Sequence, residues 1–113
     1  MAARARANIR KAGLETRVEI RKGSALDLLA DMQGPFDFIF MDIEKEEYAP
    51  ALPHCERLLK PGGLLVVDNT AFPEAEEFNQ ALAASPSWQF VQLFSFLPAH
   101  SPEHDGLCLA LRL

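Results

Sequence analysis

Two stretches constrain this chain more than any others: "FDFIFMD" at 36–42 and "GLLVVDN" at 63–69. Each holds four apolar residues in a row, Phe38 to Met41 and Leu64 to Val67, and then stops on an acid. Strands covered by helices on both faces of a parallel sheet read as near-continuous apolar runs, whereas half-exposed antiparallel strands alternate. Two such runs, separated by a segment of helical character, predict a layered α/β architecture whose parallel strands are joined by helices.

The remaining segments fit that frame. Residues 2–12 are Ala-rich with Ile9 on one side and arginines on the other, a helix that Gly13 is placed to end. "TRVEIRK" alternates Val18 and Ile20 against charged neighbours, as a short strand does, and "GSALDLLADM" then sets Leu26, Leu28 and Leu29 at helical spacing behind Ser24, a residue able to cap. A helix is expected from Pro50 to Leu59, with Pro50 at its first position, Pro53 within its first turn and "KPGG" stopping it before the next strand. "PEAEEFNQALAA" opens with Pro73 and two early acids and lines up Ala75, Phe78 and Leu82 along one side. "WQFVQLFSF" and "GLCLALRL" close the chain as two β-rich runs with no helix between them, which predicts antiparallel pairing, with Trp88, Phe90, Phe94 and Phe96 as strand packing in the core.

Bulk properties exclude several classes. At 113 residues the chain has room for one domain and one core. Its 49% hydrophobic and 24% charged residues mark a folded chain rather than a disordered one. A formal net charge of −5 argues against a nucleic-acid partner held by phosphate neutralisation, and Arg4, Arg6, Arg10 and Lys11 read as a solvated helix face. No apolar run approaches the ~18–20 residues that cross a bilayer, and the start lacks a secretory h-region, so a cytoplasmic location without membrane contact is expected. The Ala- and Arg-rich opening has some presequence character but runs on without a Ser-rich spacer. Cys55 and Cys108 lie far apart inside apolar segments and read as reduced core thiols. No chemistry is assigned to His54, His100 or His104.

Ligands of open α/β sheets bind beyond the carboxyl ends of the strands. Asp42 and Asp68 both stand at that edge, and if their strands are neighbours, ~4.8 Å apart, their carboxylates and the Asn69 amide oxygen can meet at one point. Two acids and an amide are hard oxygen ligands of the kind magnesium or calcium accepts. The structural alternative is a turn, since Asp and Asn both bond their own backbone.

In order and spacing, "FDFIFMDIEKEEY", "LLKPGGLLVVDN" and "FNQALAASP…HDGLCLALRL" resemble the later half of the cation-dependent O-methyltransferases of the caffeoyl-CoA and catechol type. The resemblance covers almost the whole chain. It implies a partial Rossmann-like class I methyltransferase sheet, mostly parallel with an antiparallel C-terminal strand and lacking the first two strands. It further implies a divalent cation, Mg2+ by preference, held by Asp42, Asp68 and Asn69, with Lys45 as the base. The methyl donor would be S-adenosylmethionine, met here by Gly23, Ser24 and Ala25, which stand at the family's G-D-A signature, and by Asp42. The acceptor would be a small-molecule hydroxyl chelated to the metal.

The chain departs from the family pattern in three places. The glycine-rich turn and the acid that hold the donor have no counterpart, Ser24 replaces the usual acid, and the loop between Asn69 and Phe78 is short and lacks the usual tryptophan. A fragment that oligomerises without catalysis is therefore an alternative reading, and a receiver-like phosphoacceptor built around "FIFMDI" is another. In the resembled fold the strand order is third, second, first, fourth, fifth, seventh, sixth, so the missing strands orphan "RVEIRK" and bare one edge of "FDFIFMD". That edge predicts a homodimer or swapped assembly, or a rearrangement that moves Val18–Ile20 against Phe38–Phe40.

Overall fold

The computed structural model describes residues 1–113. In chain order the elements are α1 (Ala2–Lys11), α2 (Ala25–Asp31), β1 (Phe36–Met41), α3 (Tyr48–Leu58), β2 (Leu59–Asp68), α4 (Glu76–Ala84), β3 (Trp88–Phe96) and β4 (His104–Arg112). Single 3-10 turns at Lys45–Glu47 and Pro73–Ala75 lead into α3 and α4. The four strands form one sheet in the order β1-β2-β4-β3. β1 and β2 pair parallel, and β4 pairs antiparallel with both β2 and β3. Three strands therefore share one direction and the C-terminal strand opposes them.

Helices cover one face of this sheet. Tyr48, Leu52 and Cys55 of α3 and Phe78 and Leu82 of α4 are buried against Met41, Leu65, Val67, Cys108 and Ala110 of the strands. Tyr48 and Phe78 meet edge to face, their ring centroids 5.8 Å apart, the geometry that ring quadrupoles favour. Ala75, Phe78 and Leu82 are each fully buried, so the apolar side read from the sequence is the packed one. Arg57 fastens α2 to α3 by donating to the carbonyls of Met32 and Leu29 at 2.9 and 2.7 Å. Burial of both thiols raises Cys55 and Cys108 to a pKa of about 11.

Several local expectations are corrected. Residues 17–24 form no strand: Arg17 and Val18 turn back to the Leu14 carbonyl, and the only hydrogen bond to a distant element is Arg6 reaching the Ile20 carbonyl at 3.3 Å. Two alternating apolar residues cannot sustain a strand with no neighbour to accept its hydrogen bonds. The rearrangement onto Phe38–Phe40 is thus absent. α3 begins at Tyr48 rather than Pro50, which puts Pro53 in its interior. "KPGG" lies within β2 as an irregularity, Gly62 adopting φ +85°, and the register with β1 slips between Phe36 and Phe38. Ser24 occupies the cap position of α2 without a side-chain bond, whereas Gly13 ends α1 as expected at φ +70°, with Gly13 and Leu14 donating to the carbonyls of Arg10 and Ile9.

The second face of the sheet is bare, contrary to the reading of "FDFIFMD" as covered on both sides. Phe40, Val66, Leu109 and Val91 form one row across the four strands, with Phe38, Leu64 and Leu111 in the next. Phe38, Phe40 and Val91 each keep 53% of their surface exposed. Trp88 is buried and Phe90 packs against the core, but Phe94 and Phe96 are exposed, because β3 outruns the helical layer at its far end. α1 has no buried residue and does not serve as a cover.

We propose that the purified chain self-associates through this face and the free edge of β1. The rows carry no charge to oppose contact, and in a solution of this chain alone only a second copy is available to cover them. Light scattering is expected to give a mass of at least two chains, reduced by Phe40→Lys. A monodisperse monomer whose Phe38–Met41 amides exchange rapidly would overturn the proposal.

Candidate functional site

The parallel register pairs Met41 with Val67, so Asp42 and Asp68 leave adjacent strands side by side at the same sheet edge. Asp42 is exposed, and Asp68 and Asn69 are half-buried. Asn69 takes a left-handed backbone, φ 58°, a conformation Asn tolerates better than most residues. Its backbone N–H donates to Asp68 Oδ1 at 2.8 Å. Asp68 remains the last residue of β2, and the chain turns just after it, Phe72 N donating to the Asn69 carbonyl at 3.4 Å.

The turn is held from three sides. Thr70 N donates to the Gly106 carbonyl at 3.1 Å, and Asn79 Nδ2 donates to the Thr70 carbonyl at 2.8 Å. Thr70 Oγ1 meets Gln92 Oε1 at 2.8 Å, while Gln92 Nε2 returns to Asn79 Oδ1 at 3.1 Å. A Cβ at position 106 would stand 2.6 Å from Thr70 Oγ1, so only glycine lets β4 approach the turn this closely. Asp105, buried beside that glycine, accepts from Asn69 Nδ2 at 2.6 Å and from Gly106 N at 2.7 Å.

Tyr48 lies beneath the acids. Its hydroxyl donates to the Asp68 carbonyl at 3.0 Å. Burial, then the negative charges of Asp42, Asp68, Asp105 and Glu44, push the phenol up to a pKa of about 12. Four carboxylates thus act on one buried ring without a cation among them. Lys45 is half-buried, and its Nζ lies 5.5 Å from the centre of the Phe72 ring, within cation–π range. It forms no ion pair with Glu44, Glu46 or Glu47.

No three His, Cys, Asp or Glu side chains converge as a ligand set; the candidate ligands at this edge are two acids and an amide. Of the residues read as donor-binding, Gly23 and Ser24 are exposed, and Ala25 joins Leu28, Leu29, Met32, Ile39, Met41 and Ile43 around an apolar recess of about 230 Å³. Asp42 lies between Met41 and Ile43 in the chain but does not line the recess. The largest cleft, about 450 Å³ between α4 and β3, begins at Thr70 and is lined by none of Asp42, Lys45, Asp68 or Asn69. Sequence reasoning missed Asp105, Tyr48 and the Thr70–Gln92–Asn79 network. Of these only Asp105 and Gly106 carried a signal, as part of the "HDGLCLALRL" stretch that bears the resemblance, and they lie within β4.

The O-methyltransferase family profile matches residues 1–94. The chain belongs to the O-methyltransferase family. It is 34% identical to a catechol O-methyltransferase of Niastella koreensis over 97% of its own length and 57% of that protein. Against caffeoyl-CoA O-methyltransferase 1 of Eucalyptus globulus it is 32% identical over 93% of its length and 50% of the relative. It superimposes on the O-methyltransferase of Bacillus cereus, solved in complex with SAH, with TM-score 0.83 and 29% identity over 99% of this chain and 58% of the other. An O-methyltransferase of Streptomyces achromogenes in complex with SAM gives TM-score 0.84 at 26% identity. The chain spans about half the length of the curated relatives it matches. No helix is long and apolar enough to cross a membrane.

The buried phenol makes a pH prediction. A folded-state pKa near 12 against 10 unfolded means that the neutral phenol stabilises the fold fully below pH 10, and that this contribution is lost as pH rises through 12. Tyr48→Phe is expected to cost about 1 kcal/mol at pH 7, from the lost hydrogen bond to the Asp68 carbonyl, and to flatten the decline in stability between pH 10 and 12. Urea titrations of both proteins at pH 7 and 11 check it; parallel losses in the two would refute it.

Proposed function

We propose that this chain carries the cation- and acceptor-binding part of an O-methyltransferase that moves a methyl group from S-adenosylmethionine to a metal-chelated hydroxyl of a small molecule. The observation that carries the reading is the register that sets Asp42 beside Asp68, with Asn69 adjoining and an unpaired Lys45 three residues beyond Asp42.

The donor set fits a hard divalent cation such as Mg2+: two carboxylates and an amide oxygen. When bound, the cation would supply Lewis-acid polarisation of two neighbouring acceptor oxygens and ease the loss of a proton from one of them. Asp42, Asp68 and Asn69 would hold it, and their fixed backbone would orient an acceptor docked there. Lys45 Nζ is the group available to take the acceptor's proton, and Phe72 restrains that side chain. Alignment of the acceptor oxygen with the donor methyl would supply much of the acceleration.

S-adenosylmethionine itself does not fit these residues alone. The recess beside Ala25 is lined by nine apolar residues, suited to a flat ring but offering no partner to ribose hydroxyls or to a charged amino-acid end. No step is derived through it. That recess favours a second reading, in which the 113-residue chain binds a cation yet does not methylate by itself.

Calorimetric titration distinguishes the two. Mn2+, a stand-in for Mg2+, is expected to bind at one site, at least about tenfold more weakly in Asp68→Ala. Tight stoichiometric binding of S-adenosylmethionine would favour the methylating reading, and its absence the second. A wild-type chain that takes up no Mn2+ would sink the cation-dependent reading in either form.

A further inference from the structure

We propose that Asp105 is a positioning residue for the cation site: it fixes which end of the Asn69 side chain faces the metal. The proposal rests on the cation reading of Asp42, Asp68 and Asn69 and adds to it a residue outside the ligand set. An amide side chain has one end that donates and one that accepts, and only the oxygen ligates a hard cation. Left to itself, the Asn69 group can turn over and offer the cation its NH2.

Asp105 removes that freedom. Its carboxylate oxygens only accept, so the end of Asn69 that meets Oδ2 at 2.6 Å is the NH2, and Oδ1 points the other way. Asp105 is itself immobilised, being 5% exposed, with its second oxygen bonded by Gly106 N at 2.7 Å. Gly106 sits beside the turn because nothing larger fits against Thr70. One side chain on β4 therefore sets the polarity of a ligand at the end of β2, and it does so through the Asp68–Leu107 end of the antiparallel pairing.

An isosteric change tests this. Asn at 105 can either accept from or donate to Asn69, so the amide is no longer biased, and Asp105→Asn should weaken Mn2+ binding about tenfold or more, the range found when partners outside the ligand shell are lost. A swapped pair should rescue it: in the Asn69→Asp, Asp105→Asn double variant the new carboxylate at 69 presents oxygen in either orientation and accepts from the new amide at 105. The measurement is Mn2+ affinity by electron paramagnetic resonance on the full chain, with thermal melts to compare the folding of each variant. Weakening in Asp105→Asn with recovery in the double variant supports the proposal. An affinity for Asp105→Asn within twofold of wild type overturns it and leaves the cation site standing. Should Asp105→Asn fail to fold, a folded double variant that binds Mn2+ like wild type supports the proposal, and one that does not bind overturns it. Absence of binding to the wild-type chain overturns the cation reading, and with it this inference.

Discussion

Everything at the candidate site depends on the parallel pairing of β1 with β2. Side chains of neighbouring parallel strands stand level with one another, so a shared register fixes which residues emerge together at the strand ends. Here Met41 faces Val67, and the two acids that follow come out side by side. A slip of one residue would bury an acid or withdraw it from its partner. The register is secured by apolar contacts: Met41, Leu65 and Val67 point into the helical layer with Tyr48, Cys55 and Phe78. The irregularity at Gly62 and Gly63 absorbs a change of pairing ahead of the aligned stretch, so that Phe38 to Met41 match Leu64 to Val67 without interruption.

β4 adds a second constraint. It lies antiparallel against β2 and brings Asp105 and Gly106 level with the Asp68–Asn69 turn from the opposite chain direction. The site therefore draws on three segments far apart in sequence: the end of β1, the end of β2 and the start of β4. Local energetics alone would leave Asn69 free in its left-handed conformation. The bonds from Asn79 to the Thr70 carbonyl and from Thr70 N to the Gly106 carbonyl hold it.

Much of this was legible in the sequence, for physical reasons that can be named. "FDFIFMD" and "GLLVVDN" announce strands because short apolar runs rich in Phe, Ile and Val favour extended backbone, although only one of their faces is covered here, and the acids at their ends mark the sheet edge. α4 was legible because Ala75, Phe78 and Leu82 repeat at helical spacing. Asp105 was not, because the character of a buried carboxylate comes from a partner 36 residues away. The Val18–Ile20 segment misled because alternation records a preference for one face, while a strand also needs a neighbour to bond. Phe94 and Phe96 misled similarly: their spacing is that of packed residues, but the layer that would pack them does not reach their end of β3.

The same edge shows why a bare sheet face and an acid-rich site can coexist in one small domain. Asp42, Asp68, Asp105 and Glu44 all act on Tyr48. Each is accommodated differently. Asp42 and Glu44 remain in water, Asp68 accepts from the Asn69 backbone, and Asp105 accepts from two donors. Lys45 leans toward Phe72 rather than into the cluster. A cation that bound that edge in the folded chain and not in the unfolded one would stabilise the fold as a whole. The helical face supplies the packing that fixes the strand ends from which these acids emerge.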